Sequence, residues 1–146
     1  MGTAENKQLI QTIFAATAQG DSRLLVEHMA DDFRWTIAGN GRWSRSYAGK
    51  QAVLTELFAV LRQRIEGRIK MIPQRIIADG DLVVVEARGA NVTRTGVPYN
   101  NNYCFVFRLA GGKLAEVTEY MDTELVTAAL GEPASVAPPS AASRIG

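Results

Sequence analysis

The chain has one cysteine and one histidine among its 146 residues. Cys104 alone rules out an internal disulfide framework and a cysteine-rich zinc site, and His28 alone rules out a multi-histidine metal centre. No apolar run approaches the ~20 residues of a membrane helix. The opening MGTAENKQL carries neither a basic region nor an apolar block, so no secretory signal is expected, and Asn6 stands where a myristoylation motif wants Ser or Thr. No charge of one sign dominates: 16 basic and 15 acidic residues leave a formal +1, too little for a polyanion-binding surface. What is present is apolar, 47% of the chain, enough for one well-filled domain. The expectation is a cytoplasmic domain with no metal, cofactor, nucleic-acid partner or membrane attachment.

Periodicity divides the chain. Thr3 is placed to cap a helix whose Leu9, Ile10, Ile13, Phe14 and Thr17 share a face. Gly20 ends it, and Asp21 opens a short second helix reaching His28 and Met29. Asp31 and Asp32 read as the connection before a strand in which Phe33, Trp35 and Ile37 alternate with Arg34 and Thr36. A third helix after Gly49 carries Val53, Leu57, Val60, Leu61 and Ile65. Strands follow over 69–78, where Pro73 implies an edge or a bulge, then over 82–94, 101–109 and 114–122, joined by turns at Asp79-Gly80, Gly96 and Gly111-Gly112. Thr123 to Leu130 is a closing helix that Asp122 can N-cap. Helices first and hairpins later predict an α+β domain with an antiparallel sheet over residues 1–131. Residues 132–146, with Pro133, Pro138 and Pro139 among Ala and Ser, read as a flexible tail.

The order of elements resembles the nuclear transport factor 2-like superfamily, in its SnoaL-like, ketosteroid isomerase-related branch. Ala30-Asp31-Asp32-Phe33-Arg34-Trp35, Tyr47-Ala48-Gly49-Lys50, Pro98-Tyr99-Asn100-Asn101 and Glu119-Tyr120-Met121-Asp122 carry the resemblance. It implies a cone in which a curved sheet wraps a long helix around an apolar pocket. Members include isomerases, polyketide cyclases, epoxide hydrolases, dehydratases and non-catalytic binding domains, so the fold leaves activity open. Ketosteroid isomerases place their base near the first strand, and their full residue set has no clear counterpart here.

Period-two counting nominates the site. Glu119 shares a strand face with Ala115, Val117 and Met121, and a carboxylate there must be paired or held neutral. Glu86 and Arg88 share a face with Val84, Ala90 and Val92, roughly 6.6 Å apart along the strand. If both faces line the cone, Glu86, Arg88 and Glu119 form one buried cluster, catalytic or only structural. Limonene epoxide hydrolase-like relatives carry an Asp-Arg-Asp triad on the same strands. Here Glu86 aligns with their Arg, Arg88 with an Asp and Glu119 with their second Asp, so that activity does not carry over. The last-strand acid of SnoaL-like cyclases is a general base, and Glu119 is its nearest equivalent.

Trp35, Trp43, Phe58 and Tyr103 are the expected apolar walls for a small cyclic or aromatic ligand, with Asn101, Val117 and Met121 beside them. Plain core roles stand as alternatives for the aromatics, and strand-end geometry for Asn100 and Asn101. His28 suits a helix end, Arg42 and Arg45 a solvated loop that could cap the pocket mouth, and Cys104 an apolar filler. Val83, Val85 and Ala87, with Cys104 and Val106, read as an outer face that a second subunit covers, giving a homodimer. The two functional readings are a cofactor-free enzyme (isomerase, cyclase, lyase or hydrolase) and a non-catalytic binding domain.

Overall fold

The computed structural model describes residues 2–133; the stretch expected as a tail lies, beyond Glu132 and Pro133, outside the described residues. Helix α1 (Thr3–Thr17) buries Ile10, Ile13, Phe14 and Thr17, as its periodicity requires. Its N-cap is Gly2 rather than Thr3, whose hydroxyl instead bonds to Gly80 at the β-hairpin tip. The short α2 (Arg23–Glu27) leads straight into β1 (Met29–Ile37). Asp31 and Asp32 are therefore strand residues, not a connection, on a stretch that bulges between Met29 and Arg34.

After β2 (Ser46–Ala48), one helical segment runs through α3 (Lys50–Ala52), a π-helical stretch (Val53–Phe58) and α4 (Ala59–Arg64). Its apolar residues Val53, Leu57, Leu61 and Ile65 are spaced by four. That spacing drifts around an α-helix of 3.6 residues per turn, and the wider π turn takes up the drift.

The strands β3 (Met71–Asp79), β4 (Leu82–Gly89), β7 (Asn102–Ala110) and β8 (Lys113–Met121) form the expected antiparallel hairpins. The strand expected over 82–94 breaks at Ala90, and β5 (Asn91–Val92) pairs separately with β6 (Pro98–Tyr99). Pro73 sits on an edge strand and beside a bulge, where its missing N–H costs no ladder bond. The sheet order is β2-β1-β8-β7-β4-β3, curved and open at both edges. One pairing departs from the antiparallel expectation: β1 lies parallel to β8, because the chain leaves β1, crosses through the helical segment and returns from the far edge. Helix α5 (Thr123–Leu130) is N-capped by Asp122, whose Oδ1 accepts from the Glu124 and Leu125 amides. Among the described residues no helix is long and apolar enough to cross a membrane.

The concave face packs Phe33, Trp35, Phe105, Phe107 and Leu114 against α1 and the helical segment. Trp43 Nε1 donates to the Gly131 carbonyl at 2.8 Å, and Arg64 donates to the Leu130 carbonyl, so α5 is tied down over one end of that face.

Candidate active site

The concave face is not completely filled. A cavity of about 320 Å³ lies between the sheet and the helices. Its walls are mainly apolar: Phe14 from α1, Leu57, Phe58, Leu61 and Ile65 from the helical segment, Trp35 and Ile37 from β1, Phe105 and Phe107 from β7. Trp43, Val126 and Leu130 close the α5 end.

One carboxylate reaches this space. Glu119 is only 6% exposed, and Trp35 Nε1 donates to its Oε1 at 2.8 Å. Among the described residues no Lys or Arg pairs with it, and Oε2 has no hydrogen-bond partner. Burial pushes its pKa up to about 7, and the Trp35 hydrogen bond opposes only part of that rise. Two phenols stand nearby. Tyr103, stacked on Phe105 at 5.3 Å, and Tyr99 both line the cavity. Burial raises both phenol pKa values, Tyr103 well above the ordinary value with Tyr99 and Glu119 adding to the effect. They are neutral hydroxyl donors at physiological pH.

The expected site residues separate into three groups. Glu119, Trp35, Trp43, Phe58, Tyr103 and Met121 line the cavity together. Val117 and Asn101 are buried but do not line it. Val117 is sealed core. The Asn101 side chain bonds to the Asp122 backbone at both N and O, to the Asn102 amide and to the Tyr99 hydroxyl, splicing two strand ends. That is the strand-end role, not ligand contact. Glu86 and Arg88 lie on the opposite, convex face, so the buried acid–base–acid cluster does not exist. Glu86 pairs with Arg75 at 2.7 Å on the surface, and Arg88 is exposed.

The physical reason is parity. Val83, Val84 and Val85 are all apolar, so alternation on β4 can be counted either way, and a one-residue shift exchanges the faces. The register decides: Val85 opposes Phe105 and Ala87 opposes Tyr103, which puts Val83, Val85 and Ala87 inside. Arg75 opposite Glu86 was the available signal, a cross-strand ion pair that belongs to a wet face. Arg88→Ala is consequently expected to change unfolding free energy by no more than about 0.5 kcal/mol, as for other surface sites, not the roughly 3–5 kcal/mol of a broken buried pair. Urea denaturation of the variant checks this, and a loss above about 2 kcal/mol would contradict the surface placement.

Arg42 and Arg45 do not cap the cavity: Arg42 pairs with Glu132, and Arg45 pairs with Glu56 while lying over the Tyr47 ring. His28 sits at the end of α2 with Nδ1 on the Leu24 carbonyl, away from the cavity. Tyr99 was missed, because a tyrosine in a two-residue strand after Pro98 carries no alternation to read.

A curved open sheet, a helical cover, and a buried carboxylate at an apolar cavity define an α+β domain of the cone type. The SnoaL-like domain family model matches residues 10–117, and the chain belongs to that family. No curated protein gives a significant match. Among solved structures, a nuclear transport factor 2-like protein from Burkholderia xenovorans LB400 is 26% identical over 89% of this chain and 98% of its own, with a TM-score of 0.70. A protein provisionally named a SnoaL-like polyketide cyclase, from Jannaschia sp. CCS1, is 21% identical over 90% and 94%, with a TM-score of 0.71. Bal32a, from a soil-derived mobile gene cassette, is 19% identical over 88% and 98%, with a TM-score of 0.75. The latter two share the fold.

Proposed function

We propose that this protein is a cofactor-independent enzyme in which Glu119 acts as general acid–base on an apolar cyclic or aromatic small molecule. The observation that carries the reading is the Glu119 carboxylate, buried at the wall of an apolar cavity with no cation beside it among the described residues. A base works best with a pKa near the operating pH, and burial brings that of Glu119 to about 7. Trp35 holds Oε1 and leaves Oε2 to take a proton from a carbon acid. Tyr99 or Tyr103 would donate to the substrate oxygen as it gains negative charge. Proton removal next to a carbonyl is common to isomerisation, aldol-type cyclisation and elimination. The family resemblance to cyclases and isomerases supports this class of reaction.

The test is solvent deuterium exchange at the α-carbon of cyclic and aromatic ketones, followed by NMR. Wild-type protein should catalyse exchange that Glu119→Gln does not. Equal exchange by the two proteins would remove the base assignment. Ketone binding without exchange would leave a non-catalytic binding domain.

We also propose a homodimer through the convex sheet face. The composition of that face is corrected: Val83, Val85 and Ala87 point inward, and the exposed apolar residues are Ile72, Ile77, Leu82 and Tyr120, beside Val84, Cys104 and Val106. Of its charges, Arg75 with Glu86 and Arg108 with Glu116 are paired within the chain, and Arg34 and Arg88 stand exposed on the same face. Sedimentation at micromolar concentration should give a dimer, and Ile77→Arg should convert it to monomer. A monomeric wild-type chain would overturn the interface.

A further inference from the structure

The polar groups of the cavity wall are unevenly placed. Glu119, Tyr99 and Tyr103 are buried, whereas Ser22, Arg62, Gly67 and Arg68 line the same space from exposed positions. These exposed residues mark the mouth, between the α1–α2 turn and the segment after α4. The acids around this mouth already have partners. Asp21 is held by Arg23 at 2.9 Å, and Glu66 faces Arg94 at 4.0 Å. The guanidinium groups of Arg62 and Arg68 make no hydrogen bond or ion pair among the described residues.

Arg68 is also positioned. Its stem crosses the α1 C-terminus at Gly20, where an added Cβ would lie 2.7 Å from the Arg68 Cβ. Gly20 has a φ of +81°, which glycine adopts without strain. The turn therefore accepts both the left-handed backbone and the close approach of the arginine. Among the described residues, the result is an apolar cavity with two arginines that make no hydrogen bond or ion pair at its open end, Asp21 within Coulombic reach of Arg68, and a carboxylate without a cation inside.

We propose that Arg62 and Arg68 form an anion-binding site at the mouth, and that the substrate is an apolar ring system bearing a carboxylate at the end remote from its reacting carbon. The inference rests on the reading of this cavity as the substrate site. A carboxylate at the mouth is attracted by both arginines, whereas one pushed inward would meet Glu119. The charge distribution thus sets which end of the substrate enters first, as complementary charges fix register at other interfaces.

The probes are 2-naphthylacetate and its near-isosteric neutral amide, compared by calorimetric titration at low salt. Exposed ion pairs are individually weak, so the two arginines together should give the acid a roughly three- to tenfold preference. That preference should fade at roughly 0.5 M salt. The double variant Arg62→Gln with Arg68→Gln should lose it while binding the amide as before. Glu119→Gln should keep it. Equal binding of acid and amide by wild type, a preference that survives in the double variant, or no binding of either probe would overturn the site. A preference that rises in Glu119→Gln would put the carboxylate inside the cavity and overturn it equally. These readings do not involve proton transfer. Absent deuterium exchange with an intact preference would therefore defeat only the catalytic reading, and exchange without a preference would defeat only the anion site.

Discussion

Replacement of Glu119 by Gln should abolish turnover and, above neutral pH, stabilise the fold. General-base contributions are typically ~10²–10⁴-fold, and Gln keeps the shape and a carbonyl acceptor for Trp35 Nε1. The stability effect follows from linkage. Burial raises the folded-state pKa of Glu119 from 4.5 to about 7. Below the unfolded value both states are protonated and no penalty exists. Between the two values the folded state holds the extra proton, so stability falls as pH rises, and above about 7 the penalty is complete. A shift of this size corresponds to about 3 kcal/mol. Urea denaturation from pH 4 to pH 9 should therefore show the wild type losing stability relative to Glu119→Gln across that window. Parallel curves would mean that the carboxylate is solvated or paired in solution, and the variant's loss of turnover would then need another cause.

Phe105→Ala should be the most damaging of the cavity-wall substitutions. Phe105 is 1% exposed and touches four aromatic rings: Phe14 at 5.7 Å, Trp35 at 6.1 Å, Tyr103 at 5.3 Å and Phe107 at 6.0 Å between centroids. It joins α1 to the middle of the sheet. Truncation of a buried Phe costs about 3–5 kcal/mol, through lost transfer energy and the void left behind. Its partner across the ladder is Glu119, so the enlarged space also brings water nearer the carboxylate. The acid limb of the exchange profile should then move toward lower pH, because desolvation is what raises the Glu119 pKa. A loss below about 1 kcal/mol would show that the neighbouring rings collapse into the gap. An unmoved acid limb would show that Phe105 does not control solvent access to Glu119.

These two residues lie on strand stretches whose pattern reads without ambiguity. On β7, Tyr103, Phe105, Phe107 and Leu109 alternate with Cys104, Val106 and Arg108, and only the first set is large enough to build a core. On β8, Val117 and Glu119 alternate with Glu116, Thr118 and Tyr120, and the structure places them as counted. Further back on that strand the count fails, since a bulge opposite Leu109 makes Leu114, rather than Ala115, the buried residue.

Local chemistry was enough for the helices, the long strands with their hairpin turns and the isolation of Glu119 on an apolar face. Each of these depends on residues within a few positions of one another. Three features required partners distant in sequence. The parity of β4 depends on which residues of β7 lie opposite, and three consecutive valines leave both choices open. The break at Ala90 separates Leu82–Gly89 from Asn91–Val92 through pairing with Tyr99 and Pro98. The gathering of Tyr99, Arg62 and Arg68 around the cavity joins a two-residue strand to the end of α4 and the segment after it, a juxtaposition that no local pattern shows. Alternation shows that a strand has two faces, but only the ladder beside it decides which one is dry. For that reason Glu119 was legible from the sequence as a carboxylate on an apolar inner face, while the placement of Glu86 and Arg88 on the outer face came from the tertiary structure.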